Sequence, residues 1–230
     1  MICRSTSDWY EPVDRSLVSE PVSSVIPTTA MYGLTEPLDA SVDPATSLLV
    51  SSTCLATAER FVTDMLAAGL ESGACGIAVT ATTEAEGVRD AVYDRTHADE
   101  SALSIIDCVT RDRGACVNDT DQITYVASPA ELTQIGVALS ERLEAFEREG
   151  VGRARITLHS VSTLLAYADL ETVFRFLHVF TRRAEHAGGI GLYTVDRTAH
   201  DDRSLRTLAP LFDATIQLSE DGDEIVATLE

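Results

Sequence analysis

The sequence predicts an α/β fold: a mostly parallel sheet with helices on both faces and an antiparallel hairpin at its C-terminal end. Three observations predict it. Short apolar runs alternate with longer helical patterns from Ser47 to Ala209. The run Ala154 to Leu158 lies between two long amphipathic patterns and reads as the buried central strand. The runs Ala214 to Leu218 and Glu224 to Leu229 flank Asp221-Gly222, a hairpin dipeptide.

Taken in order, residues 1–44 read as an N-terminal arm, either partly disordered or packed on the domain that follows at 45–230. Residues 1–30 are rich in Ser, Thr and Pro, with Trp9 and Tyr10 as the large aromatics there and Trp9 the anchor if the segment lies across the domain; residues 31–46 read as loop, with a turn at Asp43-Pro44. Ser47 to Ser51 is the first strand, Ser52 to Ala56 a turn. A helix then shows Phe61, Val62, Met65, Leu66 and Leu70 on one face and ends at Gly69 and Gly73. Gly76 to Thr80 is a strand, Glu84 to Arg95 a polar helix, and Ser104 to Val109 a third strand.

Thr110 to Asp121 reads as an exposed loop, and Ile123 to Val126 as a small extended piece. Ser128-Pro129 opens a helix with Leu132, Ile135, Leu139, Leu143 and Phe146 on its stripe; Ser128 and Glu131 form a capping box. After the central strand, His159 to Thr163 is a small-polar turn. Asp169 caps the most apolar helix, which carries Leu170, Val173, Phe174, Leu177, Val179 and Phe180 and ends in Arg182 and Arg183. That helix is apolar over more than one face, so one face is either covered by the domain or awaits a partner. Ile190 to Val195 is a strand, and Asp201 to Ala209 a short helix before Pro210.

Composition narrows the function. The chain has 230 residues, 37 acidic against 17 basic, and a formal charge of −20. All 17 basic residues are arginine; there is no lysine. This excludes Schiff-base chemistry and a phosphate-binding lysine. The charge repels nucleic acid at ordinary salt, and high salt would screen it. Such a surface resembles that of cytoplasmic proteins of extreme halophiles; the alternative is a merely acidic protein from a GC-rich genome. Cys3, Cys54, Cys75, Cys108 and Cys116 are scattered, without a C-x-x-C, and read as reduced thiols, with Cys75 and Cys108 in or beside strands. No apolar run reaches membrane-spanning or signal length.

The ordered set of motifs resembles a known family. It comprises the strand–turn–helix at 47–68, Ile-Ile-Asp-Cys-Val at 105–109, the segment 125–133, Ile-Thr-Leu-His-Ser-Val-Ser-Thr-Leu-Leu at 156–165 and the segment 172–178. Together these look like the RecA/KaiC-like ATPase domain, most like small haloarchaeal members with degenerate Walker A and B motifs. The resemblance implies a RecA-like three-layer sandwich over 45–230. In active members ATP binds between subunits.

The same resemblance marks the departures. Where G-x-x-x-x-G-K-[ST] belongs, the chain has Ser51-Ser52-Thr53-Cys54-Leu55-Ala56-Thr57. The degenerate positions there are Ser52, Thr53, Cys54, Ala56 and Thr57. The central strand ends in His159-Ser160 instead of a magnesium-ordering aspartate, and imidazole is a poor magnesium ligand. Glu84 matches the catalytic acid only loosely, and Asp196 ends a neighbouring strand.

The expectation is a non-catalytic regulatory or protein-interaction module in signal transduction, with no cofactor, no metal and no bound ATP. Its partner is another protein or a second copy. The alternative is an ATP-binding protein whose phosphate site uses arginines, with Arg60, Arg155 and Arg197 as candidates. A third reading is a hydrolase using Ser160, His200 and Asp196, without the G-x-S-x-G elbow. His159 reads first as a packed strand-end histidine bonded to a turn, and second as a general base bridging to Ser160. His178 reads as half-buried.

Overall fold

A computed structural model describes residues 31–34, 37–38, 40–221 and 224–230. Trp9 and Tyr10 lie outside the described residues, as does the Gly222 of the expected C-terminal turn. Eight strands form one sheet: β3 (Ser47–Ser52), β4 (Cys75–Thr80), β5 (Leu103–Asp107), β6 (Ile123–Tyr125), β7 (Ala154–His159), β8 (Ile190–Asp196), β9 (Ala214–Asp221) and β10 (Glu224–Leu229). Their spatial order is β10-β9-β3-β8-β7-β4-β5-β6. Every pairing is parallel except β9 with β10, the expected hairpin.

The side-chain period of two sends alternate residues of each strand to opposite layers. From β7, Ile156 and Leu158 join a core built with α3 (Leu132–Arg148) and α5 (Leu170–His186). Arg155 points the other way, towards α1 (Leu55–Glu71). There, Phe61, Val62 and Met65 pack on β3, β8 and β9, while Leu66 and Leu70 pack on β4 and β5 with α2 (Ala85–Tyr93). The result is an α/β three-layer sandwich. No helix among the described residues is long and apolar enough to cross a membrane.

Several local expectations change. Residues 31–46 are not simply loop. β1 (Tyr32–Leu34) and β2 (Ala40–Val42) form an antiparallel ribbon whose Tyr32, Leu34 and Val42 are buried against the α1 side of the sheet. Two anchors hold it. The Tyr32 hydroxyl donates to the Gly188 carbonyl (3.0 Å) and accepts from the Ala154 N–H (3.3 Å). Arg155, 3% exposed, donates to the carbonyls of Met65 (2.5 Å) and Gly33 (2.7 Å). Burial, then the neighbouring Arg153, lowers its pKa to about 10, which still leaves a cation at neutral pH.

Gly69 does not end α1; it lies inside the helix because Arg155 occupies the space a Cβ would need. Gly73, with φ of +80°, does follow the helix. The Ser128–Glu131 capping box is not formed. Ser128 Oγ accepts from the Ala130 N–H in a preceding turn, and α3 starts at Leu132. His159 to Thr163 is not simply a turn either: α4 (Val161–Tyr167) begins within it, capped by Ser160. Asp169 and Asp201 cap α5 and α6 (Asp202–Leu208) through their carboxylates. On α5, His178 is exposed, so the expected half-buried histidine is not found, and Val179, 56% exposed, is on a face the domain does not cover.

Candidate functional site

In an open parallel sheet the ligand crevice lies beyond the carboxyl ends of the strands, where neighbouring connections diverge. Here the chain leaves β4 towards β5 and leaves β7 towards β8, so the divergence falls between Thr80 and His159, which are register partners. Register also places Ser52 beside Asp196 and Asp107 beside Thr80. The carboxyl edge therefore carries the row Ser52, Asp196, His159, Thr80 and Asp107, one from each of five adjacent strands.

The sequence points to Ser52, His159 and Asp196 from this row, and misses Thr80 and Asp107. Asp107 is fully buried and completely engaged. Its carboxylate accepts from the N–H groups of Ala85, Val109 and Thr110 and from the Thr110 hydroxyl, at 2.6 to 2.8 Å. It ties the start of α2 to the loop after β5. A lone acid inside the apolar run Ile105-Ile106-Asp107-Cys108-Val109 was the available signal.

The turn after β3 is short. β3 ends at Ser52 and α1 starts at Leu55, so Thr53 and Cys54 alone join them. Ser52 Oγ accepts from the Cys54 N–H (3.1 Å), which closes the turn on itself. Thr53 and Ala56 are exposed, and Thr57 is buried. Across the crevice, the Thr82 hydroxyl donates to Glu59 Oε1 (2.6 Å), bridging the loop after β4 to α1. Glu84 stands at the N-terminal boundary of α2 without capping it and pairs with Arg113 at 2.8 Å.

His159 is 4% exposed, and its Nε2 has no hydrogen-bond partner. Burial lowers its pKa to about 4, so the imidazole is neutral at pH 7. The turn hydrogen bond expected of this side chain is absent, although its main-chain carbonyl accepts from the Ala81 N–H at 2.5 Å. The His159–Ser160 peptide is cis. Ser160 is fully buried, and its Oγ accepts from the Thr163 N–H (3.1 Å). It is a helix cap and does not meet His200.

The triad reading fails at Ser160. Ser162 instead meets His200, at 2.8 Å from Oγ to Nε2, and its Oγ also accepts from the Asp196 N–H (2.9 Å). The Asp196 carboxylate is occupied by the Thr198 N–H (2.8 Å) and hydroxyl (2.7 Å), and these bonds hold its pKa below the usual range. The Ser162 contacts fasten α4 to the end of β8. Among the described residues, no group of three or more His, Cys, Asp or Glu is placed to hold a metal ion.

Of the arginine candidates, Arg155 is fixed in the interior by main-chain carbonyls, Arg60 is exposed on α1, and Arg197 lies after β8. Cys75 lies in β4 and Cys108 directly follows β5. Burial raises the Cys75 thiol pKa, with help from Glu149, and burial raises that of Cys108, with help from Asp107. Neither thiol is a ready nucleophile.

Fold and edge together define a three-layer α/β protein with a short, self-bonded turn after its first parallel strand. The chain belongs to a family of unknown function, DUF7504, whose model matches residues 45–218. No curated protein matches it. Among solved structures, it is similar to an uncharacterized protein of Pyrococcus horikoshii, determined in complex with an unknown peptide. The two share 13% identity with a TM-score of 0.64, over 82% of this chain and 84% of that one. At that identity the likeness speaks to fold alone.

Proposed function

We propose that this protein is a non-catalytic regulatory or protein-interaction module on a RecA/KaiC-like scaffold that has lost nucleotide binding, acting in signal transduction or regulation in a halophilic archaeon. The observation that carries this reading is the turn at Thr53-Cys54. A phosphate cradle needs a run of main-chain N–H groups brought round an anion by glycines, with a lysine to meet its charge. Two residues closed by Ser52 provide no such loop, and the chain has no lysine. The Glu59 carboxylate at the crevice adds repulsion. Phosphoryl transfer depends almost wholly on placed positive charge, so this edge is a poor place for it.

The peptide bound to the Pyrococcus horikoshii protein supports a contact role for the shared fold. The partner is another protein or a second copy. Calorimetric titration with ATP and magnesium at molar salt, with adenosine as the control, tests the first half of the reading. No saturable heat is expected; saturable heat from ATP that inorganic phosphate does not reproduce overturns it. Light scattering over a range of protein concentrations tests the second half. Growth in mass supports a second copy as the partner, and a constant monomer mass removes that branch.

A further inference from the structure

On the sheet face opposite α1, a groove of about 510 Å³ runs between α6 and the β9–β10 hairpin. Its floor includes Thr215, Gln217 and Thr228, and its walls include Leu205, Arg206 and Arg197. Thr228 is exposed and Thr215 and Gln217 are half-buried, so this floor is open to solvent. The size is that of a small-molecule site.

Neither of the two arginines has a close acid partner among the described residues. Several others are held tightly by acids: Arg113 by Glu84 at 2.8 Å, Arg111 by Asp119 at 3.0 Å and Arg182 by Glu185 at 3.0 Å. Arg197 is not. Its main-chain N–H donates to the Ser52 carbonyl (2.9 Å), and its Nη1 donates to the amide oxygen of Gln217 (2.9 Å). That arrangement orients the guanidinium towards the floor without neutralising it. Arg206 has one loose pair, Asp202 at 3.9 Å, with both side chains mostly exposed. In a chain with 37 acids against 17 arginines, one groove is thus lined by two guanidinium groups without a close acid partner. The acid in the lining is Glu230, opposite Thr215. Thr215 lies two residues along β9 from Gln217, the partner of Arg197.

We propose that this groove binds a small oxyanion ligand, a carboxylate or a phosphate compound, with its charged end between Arg197 and Arg206. A planar guanidinium fits either anion with paired, charge-assisted hydrogen bonds. The neutral body of the ligand lies over Thr215, Gln217 and Thr228, with Leu49 and Leu205 as apolar contacts. The groove is on the other face from the Thr53-Cys54 turn, so this site is not the place a triphosphate would have held. It stands independently of the regulatory reading.

The test is NMR of the arginine Nε–Hε groups in the full chain at constant ionic strength. The probes are succinate and inorganic phosphate, with succinamide as the neutral control. Saturable shifts at Arg197 and Arg206 are expected with at least one anion and none with succinamide. Succinate alone identifies a carboxylate, phosphate alone a phosphate compound. Arg197→Gln is expected to weaken binding roughly tenfold or more, and Arg206→Gln, on an exposed helix face, several-fold. Arg203→Gln, on the same helix outside the groove, leaves it unchanged. No saturable shift with either anion up to about 50 mM overturns the proposal, as does unaltered affinity in both groove variants.

Discussion

His159→Leu offers a sharp test of the carboxyl edge, because it removes one buried titratable group while every other histidine and carboxylate stays common to both proteins. In the folded protein the imidazole pKa is lowered to about 4 by burial; unfolded, it returns to about 6.5. Between those values the unfolded chain binds more protons than the folded one. Stability therefore rises with pH through this window and falls as the solution is acidified from pH 6.5 to 4. The difference corresponds to about 3 kcal/mol, fully expressed below pH 4 and absent above pH 7.

Three hydrogen-bonded aspartates act in a separate range. Hydrogen bonds lower the pKa of Asp169, Asp196 and Asp201, so their stabilisation is present above about pH 4 and is lost only below it. Urea unfolding at pH 7, 6, 5 and 4 should show the wild type losing about 3 kcal/mol more than His159→Leu across that span. At pH 7 the variant should match the wild type within about 1 kcal/mol, since it removes an unpartnered Nε2 and keeps an apolar volume. Parallel pH profiles for the two proteins would refute the buried, neutral histidine.

Asp107→Asn leaves one acceptor oxygen where two now serve four donors, and should cost about 2–3 kcal/mol in urea unfolding; a loss under about 0.5 kcal/mol would remove its role as the organiser of α2. Gly69→Ala places a Cβ against Arg155 Cδ and 2.5 Å from Nε, so it should destabilise by about 2–4 kcal/mol; an unchanged urea midpoint would show that Arg155 can move freely. Arg155→Met should raise hydrogen exchange at the amides of 32–34 and 40–42 at least tenfold while the β7 amides stay protected; uniform protection would mean that Tyr32 alone holds the ribbon.

The parallel strands and long helices were legible because each extends over several residues and its alternation or stripe repeats. The β1–β2 ribbon was not, since strands of three residues show hardly one period. α4 was hidden for a related reason: it has seven residues and starts straight after β7, where Ser and Thr resemble a turn. The capping pattern at Ser128 was ambiguous in kind, because Ser-Pro starts a turn as readily as a helix. At the edge, Ser52, His159 and Asp196 could be placed by counting to strand ends. Choosing Ser162 over Ser160 as the neighbour of His200 required knowing that Ser160 turns inward to cap α4. Arg155 illustrates the limit most clearly, since two main-chain carbonyls distant in sequence hold its Nη1 and Nη2 and leave no mark in composition.

The ribbon also decides where this folding unit begins. The family-matched span opens at residue 45, after both short strands. A fragment cut at that boundary would lose the Gly33 carbonyl from a buried guanidinium and uncover Phe61, Val62 and the outer strands beside them. Recombinant versions trimmed to the family-matched segment should be prone to clumping, and a boundary at or before Met31 keeps the ribbon in place.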